Sequence, residues 1–514
     1  MEIICQLSGQ KFMLSEAEQR FCLARGIPLA TISPSERLRA LFAYRNEWIL
    51  FERKCSKTGN SIISCYRPDT PFPVYGREEW LEQDWDAKEY GRPYDFSRPF
   101  FEQFHELASV VPRMSRVAVN AENSPYVNLN LNVNNCYYTF SCVESQDCMY
   151  GVRIINCRDC VDNSYIIHCE LCYECVNCHN CYNLKWSTNS FNCRDSALLN
   201  GCRNCSNCFS CIGLEHKQYC IENEQYSKEE YERKMQKLLT GKRSDLEQAQ
   251  KKFAQQLANS SYQYTSIVNS EDCSGQYIDS SHACLNSYFI RNCDQIENSF
   301  NLENCHDCFN TVTSTGSQLM YMNMGVRKNS YNVQFCFTAV QLVDSQYSGF
   351  IMAESNNLFG CIGFNTKASY CILNKQYSKD EYEELLPRII AHMKSTGEYG
   401  QWFPLKYSDF PYTDSIAQEF FPIATEAEAQ RLNIPWTNKK AYPTTEQTIP
   451  IPDDIAEVDE SIYEKIMADK ENKRAFRFQK REIAFYRRHN IPLPEHSFES
   501  RNMRRSQQLL QLSK

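Results

Sequence analysis

Cys169-Glu-Leu-Cys-Tyr-Glu-Cys-Val-Asn-Cys-His-Asn-Cys181 places five thiols at steps of three residues. The register extends well beyond this run. Sixteen cysteines lie from Cys136 to Cys220, and every gap between neighbours is a multiple of three. An amphipathic helix mixes spacings of three and four, and a half-buried strand alternates in twos. A strict period of three predicts a parallel β-solenoid, in which short sides and corners repeat and one side chain in three points inward.

A second signal accompanies the period. Asn or Asp, then Cys or Ser, then an aromatic or Met recurs at Asn135-Cys136-Tyr137, Asp147-Cys148-Met149, Asn180-Cys181-Tyr182, Asn189-Ser190-Phe191 and Asn207-Cys208-Phe209. It returns at Asn286-Ser287-Tyr288, Asn298-Ser299-Phe300, Asp307-Cys308-Phe309 and Asn329-Ser330-Tyr331. Asn and Asp tolerate left-handed backbone, and their side chains can form ladders between stacked corners. The expected fold class is therefore mainly β, a solenoid in two blocks with helical insertions.

The two blocks end alike. Cys211-Ile-Gly leads to Gln225-Tyr-Ser-Lys-Glu-Glu-Tyr231, and Cys361-Ile-Gly leads to Gln376-Tyr-Ser-Lys-Asp-Glu-Tyr382. Ser227 with Glu230 and Ser378 with Glu381 spell capping boxes that start helices. Phe12, Phe21, Ile27, Ser33 and Arg37 recur as Phe476, Phe485, Ile491, Ser497 and Arg501 at a constant offset of 464, so one small module opens and closes the chain. The expected organisation is a front domain over 1–120, solenoid blocks over 121–226 and 261–376, and a helical hairpin over 227–260 between them. A helical and aromatic cap follows over 377–437, then a Pro-rich linker over 438–467 and a basic tail module over 468–514.

Across 514 residues, 42% are hydrophobic and 23% charged, the balance of a folded protein, and the net charge of −8 provides no global attraction to nucleic acid or anionic membrane. The opening MEIICQLSGQKF has neither a basic start nor a long apolar run. A cytoplasmic chain without a membrane segment is expected, so 28 cysteines point to packing, metal or redox chemistry before disulfides.

The end module, with Phe12, Phe21-Cys22, Gly26-Ile27-Pro28 and Arg37, resembles a zinc-ribbon family built on Cys-x-x-Cys, an aromatic pair, Gly-Ile/Leu-Pro and Cys-Pro-x-Cys-Arg. The whole chain resembles an uncharacterised bacterial family that joins such ribbons to a Cys/Asn-rich repeat. The likeness is carried by Cys55–Ser64, Asp95–Phe104, Glu122–Tyr126, Tyr226–Tyr231 and Gln418–Pro422. The resemblance implies architecture and no activity. Its four zinc positions read Cys5, Ser8, Ser33 and Glu36 in front, and Asp469, Asn472, Ser497 and Ser500 behind. A closed structural zinc site needs four Cys or His ligands, so both ends read as degenerate ribbons, even with Cys22 or Cys55 near the front set.

Three functional readings follow. The favoured one is a non-catalytic scaffold that binds a protein partner or nucleic acid, with oligomerisation open and no cofactor. A second is a metal or thiol-redox protein, with Cys169, Cys172, Cys175, Cys178 and Cys181 holding zinc beside His168 and His179. A third is a carbohydrate-active solenoid enzyme using Asp159, Asp162 and Asp195. No phosphate loop, zinc-protease motif or nucleophile elbow anchors catalysis. From 468 to 505 there are 11 Lys/Arg against 5 Asp/Glu. Lys480, Arg481, Phe485, Tyr486, Arg487, Arg488, Arg501, Arg504 and Arg505 are the residues expected to meet a phosphate backbone and stack bases. In the cysteine column itself, a hydroxyl replacing a thiol is expected to cost about 1–3 kcal/mol, for want of a hydrogen-bond partner.

Overall fold

The structure, a computed structural model, describes residues 1–261, 309, 312, 318–325, 330–339, 341–446 and 449–511, together with the strands Ile267–Val268, Gly275–Asp279, Ser287–Arg291 and Phe300–Glu303. Asn286, Asn298, Ser299, Asp307, Cys308 and Asn329 of the later corner motifs lie outside the described residues. The chain is mixed α/β with many strands in parallel sheets, which corrects the expectation of a mainly β protein. Long helices at Arg243–Asn259 and Lys379–Ser395 and helical end modules account for the difference.

The period of three is a backbone period. From Leu129 to Glu222 every third residue lies in the left-handed region, from φ 47° at Trp186 to 66° at Gly201. The next residue in each triplet is the inward one, so Asn135 precedes Cys136, Asp147 precedes Cys148 and Asn177 precedes Cys178. Left-handed backbone costs most residues roughly 1–2 kcal/mol and Asn or Asp less, which explains the Asn-Cys motif. Tyr165, Leu171 and Trp186 also adopt it, so cross-strand bonding and packing outweigh local preference there.

Four triplets make a 12-residue step. Tyr137 pairs in parallel with Met149, Val152 with Ser164, Ile166 with Cys178, Leu184 with Ser196 and Cys208 with Cys220. The backbone reaches both ways: Asn135 N–H donates to the Glu122 carbonyl at 2.9 Å, and Tyr137 N–H to the Cys148 carbonyl at 3.0 Å. Amide ladders run at the same spacing, with Asn120 donating to Asn132, Asn177 to Asn189 and Asn183 to Asp195, each at 2.9 Å. In the second block Tyr331 still pairs with Val343, a step of 12, but Gln318 pairs with Tyr331 and Asn356 with Ser369, steps of 13. The added residues break the triplet register, which is why the cysteine period fades there.

Both blocks stop by one device. A short antiparallel return follows each last strand, pairing Ile221 with Glu224 and Ile372 with Lys375. Asn223 and Asn374 each accept from and donate to one backbone residue, Ile212 and Ile362, with all four bonds at 2.8 Å. Both capping boxes form at Ser227 and Ser378. Lys228–Leu238 and Arg243–Asn259 make the expected helical hairpin, which meets the sheet through Tyr231 on Tyr219 and through Ser210 donating to Gln256.

The chain divides into two compact units. One comprises 1–116 and 265–438, joining the front module to the second block, and the other comprises 117–264 and 439–512, joining the first block to the tail module. Within the latter, the segment read as a linker is hydrogen-bonded in place. Asp454 bridges to Lys242 and Thr444 to Arg474, and Arg243 donates to the Pro452 carbonyl at 2.8 Å.

Asn180 is exposed, sits at φ 54° and follows this corner rule. Asn180→Val should destabilise unit 117–264/439–512 by about 1–2 kcal/mol in urea unfolding, and Asn180→Gly by no more than a few tenths. Equal losses for both would place the cost in the side chain and remove the backbone explanation.

Candidate functional site

Every described cysteine is free and buried. Burial pushes the thiols of Cys142, Cys175 and Cys178 up, so they are neutral donors. Each sulfur in the dense run faces two carbonyls, two residues back and nine ahead. Cys169 faces Ile167 and Cys178 at 3.4 and 3.3 Å, Cys175 faces Tyr173 and Leu184 at 3.5 and 3.3 Å, and Cys181 faces His179 and Ser190 at 3.3 and 3.4 Å. Cys172 and Cys178 repeat the pattern. Zinc at about 2.3 Å from each sulfur requires sulfurs roughly 3.8 Å apart. Among the described residues no three cysteine sulfurs lie within 4.8 Å of one another, so the five candidate ligands are not gathered into a metal centre. His168 is exposed, and His179 stands edge-on to Phe191 at 5.0 Å.

The same carbonyls overturn the expected cost of a hydroxyl. Ser145 occupies an inward position and donates to the Val143 and Ile154 carbonyls at 2.9 and 3.2 Å, the same two offsets that a cysteine uses.

The basic tail separates into two sets. Lys480, Arg487, Arg488 and Arg504 are exposed, whereas Phe485, Tyr486, Arg501 and Arg505 are buried. Arg488 approaches Asp159 at 3.8 Å, Arg504 pairs with Glu471, Arg487 donates to the Val458 carbonyl, and Lys480 lies 4.4 Å over the Tyr463 ring. Half-buried Arg481 donates to the side chain of Asn135 at 2.8 Å. Phe485 and Tyr486 pack on Tyr173, with centroids at 6.1 and 5.5 Å, and leave no free ring face for a base.

The buried set is a latch that the sequence reading did not anticipate. Arg501 and Arg505 reach Asp162 at 2.9 and 3.3 Å, Tyr150 donates to Glu482 at 2.8 Å, and Tyr486 hydroxyl lies 3.3 Å from Glu482. The front module repeats it in its own unit: Arg37 donates to Glu18 at 3.1 Å, and Tyr321 donates to Glu18 at 2.8 Å. Glu18 and Glu482 differ by the same 464, so each end module sets a buried Glu against a sheet tyrosine.

The end modules share a hairpin knuckle, of which the described residues hold three copies. Cys5, Cys55 and Asp469 each receive their N–H bond geometry alike, donating to Gln10, Asn60 and Arg474 carbonyls at 2.8 Å. Gly9, Gly59 and Lys473 close the turns with positive φ. A backbone N–H from the following loop then points at the first side chain: Ser33 to Cys5 sulfur at 3.3 Å, Gly76 to Cys55 sulfur at 3.4 Å, and Ser497 to Asp469 oxygen at 2.6 Å. A helix starts directly after each donor. Burial opposes ionisation of Cys5, but donors from Ser8 and Ser33 outweigh it and bring the thiol to about 7. The middle copy lacks the intervening helix, so a constant-offset comparison misses it; Cys55-x-x-Thr58-Gly59 against Cys5-x-x-Ser8-Gly9 is the visible signal.

Asp469, Glu471 and His496 form the one described group whose ligand atoms all lie within 4.8 Å. Arg504 already pairs with Glu471 and lies 2.9 Å from Nε2 of His496, whose Nδ1 lies 3.7 Å from Asp469. Asp162 is locked beneath Arg501, Asp195 accepts from Asn183, and Asp159 faces Arg158 and Arg488, and the three do not form a group with ligand oxygens within 4.8 Å of one another. In the other unit, a polar groove of about 640 Å³ crosses the second block between Asp344, Glu354 and Lys367, where Lys367 holds Glu354 below its usual range. No helix among the described residues is long and apolar enough to cross a membrane. No family model, curated protein or solved structure matches the chain.

Cys175→Ser should therefore change stability by less than about 1 kcal/mol, read by urea unfolding; a loss of 2–3 would restore the apolar-column view. Burial pushes Glu482 up to about 7 from an ordinary 4.5. The protonated form favours the folded state, so its contribution is full below about pH 4.5 and is lost as pH rises through 7. Glu482→Gln should gain on the wild type by up to about 3 kcal/mol between pH 5 and 8, and a difference that stays constant over that range would show that Glu482 does not titrate there.

Proposed function

We propose that the chain is a non-catalytic scaffold whose body is a parallel β-solenoid of 12- and 13-residue coils, flanked by degenerate ribbon modules, and that it binds a protein partner. One observation carries the reading. The groups with most chemical potential are engaged internally, with thiols on carbonyls, Arg501 on Asp162 and Tyr150 on Glu482. What faces outward is ladders of amides and repeated corners, a surface suited to broad contact more than to a reaction. The three knuckles support the ribbon reading of the ends, with hydrogen-bond donors in place of a metal.

A protein is favoured over nucleic acid because the tail is docked and its stacking rings are covered. Affinity capture of the full chain from its native cells, with and without nuclease, tests this. A stoichiometric protein retained after nuclease is expected. Capture of nucleic acid alone, lost on nuclease treatment, would favour a phosphate-binding tail, and the absence of any stoichiometric partner would remove the scaffold reading.

A further inference from the structure

The three knuckles present the same hairpin with different outer faces. In the front copy, Glu2–Ile4 pairs with Lys11–Met13, and Glu2 lies opposite Met13 and Ile4 opposite Lys11. Alternation puts these four on one face and Ile3 and Phe12 on the other. Ile4 is 63% exposed, Met13 69%, and Leu7 at the turn 53%. The matching positions are Lys54, Ile63 and Lys57 in the middle copy, and Ala468, Arg477 and Glu471 in the tail copy. There Lys57 pairs with Glu82 and Asp84, and Glu471 with Arg504. Each of the three sites thus carries a charged residue in at least one other copy, Lys54 for Ile4, Lys57 and Glu471 for Leu7, and Arg477 for Met13, so the knuckle's own stability gives no reason for Ile4, Leu7 and Met13 to stand in water. Exposed apolar side chains gathered on one small hairpin, with a charge pair set among them, are the composition of a contact surface.

We propose that this face is a self-association surface, on which two copies of the chain pair about a two-fold axis lying along the Ile4–Met13 diagonal. The charges select that occupant. Glu2 and Lys11 occupy the other diagonal and form an ion pair at 3.0 Å, both more than half exposed. Rotation about the apolar diagonal sets Ile4 on Ile4 and Met13 on Met13 of the second copy. The same rotation sets each Glu2 over Lys11 of the second copy, giving two equivalent ion pairs. An axis along or across the strands would instead bury a charge against an apolar side chain. A closed, isologous dimer is the outcome of such self-complementarity. The inference rests on the front hairpin alone and stands apart from the scaffold reading.

Sedimentation velocity of the full chain over a concentration series tests it, with thermal unfolding as the check on folding. The wild type should show a concentration-dependent dimer. Ile4→Glu with Met13→Glu should weaken association at least about tenfold at an unchanged melting temperature. Glu2→Lys alone should weaken it, and Glu2→Lys with Lys11→Glu should restore it, because the swap preserves both ion pairs. A wild type that stays monomeric, a dimer indifferent to the double glutamate variant, or a charge swap that fails to restore pairing would each overturn the proposal.

Discussion

A left-handed residue at every third position is the constraint on which the first block depends. It sets the triplet, four triplets set the 12-residue step, and that step brings each strand onto its predecessor with backbone bonds to both neighbours. It also selects the side chains. Asn and Asp take the corner at least cost, and the residue after the corner points into an interior narrow enough that each thiol meets carbonyls of its own and the next step. Cysteine suits that place because it is small and apolar yet can donate, and serine at 145 donates to the same two offsets. Where steps of 13 enter, in the second block, the constraint relaxes and the thiols thin out.

The end modules solve a different problem, that of attaching a small hairpin-and-helix unit to a wall of parallel strands. Both do so by setting a buried Glu against a tyrosine of the sheet beside a buried ion pair, Arg37 with Glu18 in front and Arg501 with Asp162 behind. A buried ion pair is weak evidence for stability, since desolvation offsets much of the attraction, but breaking one partner leaves an uncompensated charge. Such a latch therefore specifies where the module sits more than it holds it there. The rings beside it, Phe21 on Tyr321 and Phe485 on Tyr173, supply apolar contact around the same residues.

This docking also redirects the functional reading. A basic, aromatic tail on a free linker is an arm; the same residues, folded against the first block with their arginines paired, form a wall. The knuckles follow the same logic. In all three, a backbone N–H from the following loop points at Cys5, Cys55 or Asp469, and a helix begins at the donor.

What the sequence determined alone was local. The period of three, the recurring Asn-Cys and Asp-Cys pairs, the two capping boxes and the repeat at 464 residues are dictated by backbone preference and by neighbours a few residues away, and each has a counterpart in the structure. The helical hairpin at 228–259 was legible for the same reason. The rest depended on residues far apart in the chain. That the front module joins the second block and the tail joins the first, that Arg501 meets Asp162 and not a phosphate, and that Cys55 begins a third knuckle despite a missing helix are decided by which surfaces meet. A carbonyl within reach of a thiol, or a tyrosine above a glutamate, exists only once the strands have stacked, and no spacing of residues along the chain encodes that contact.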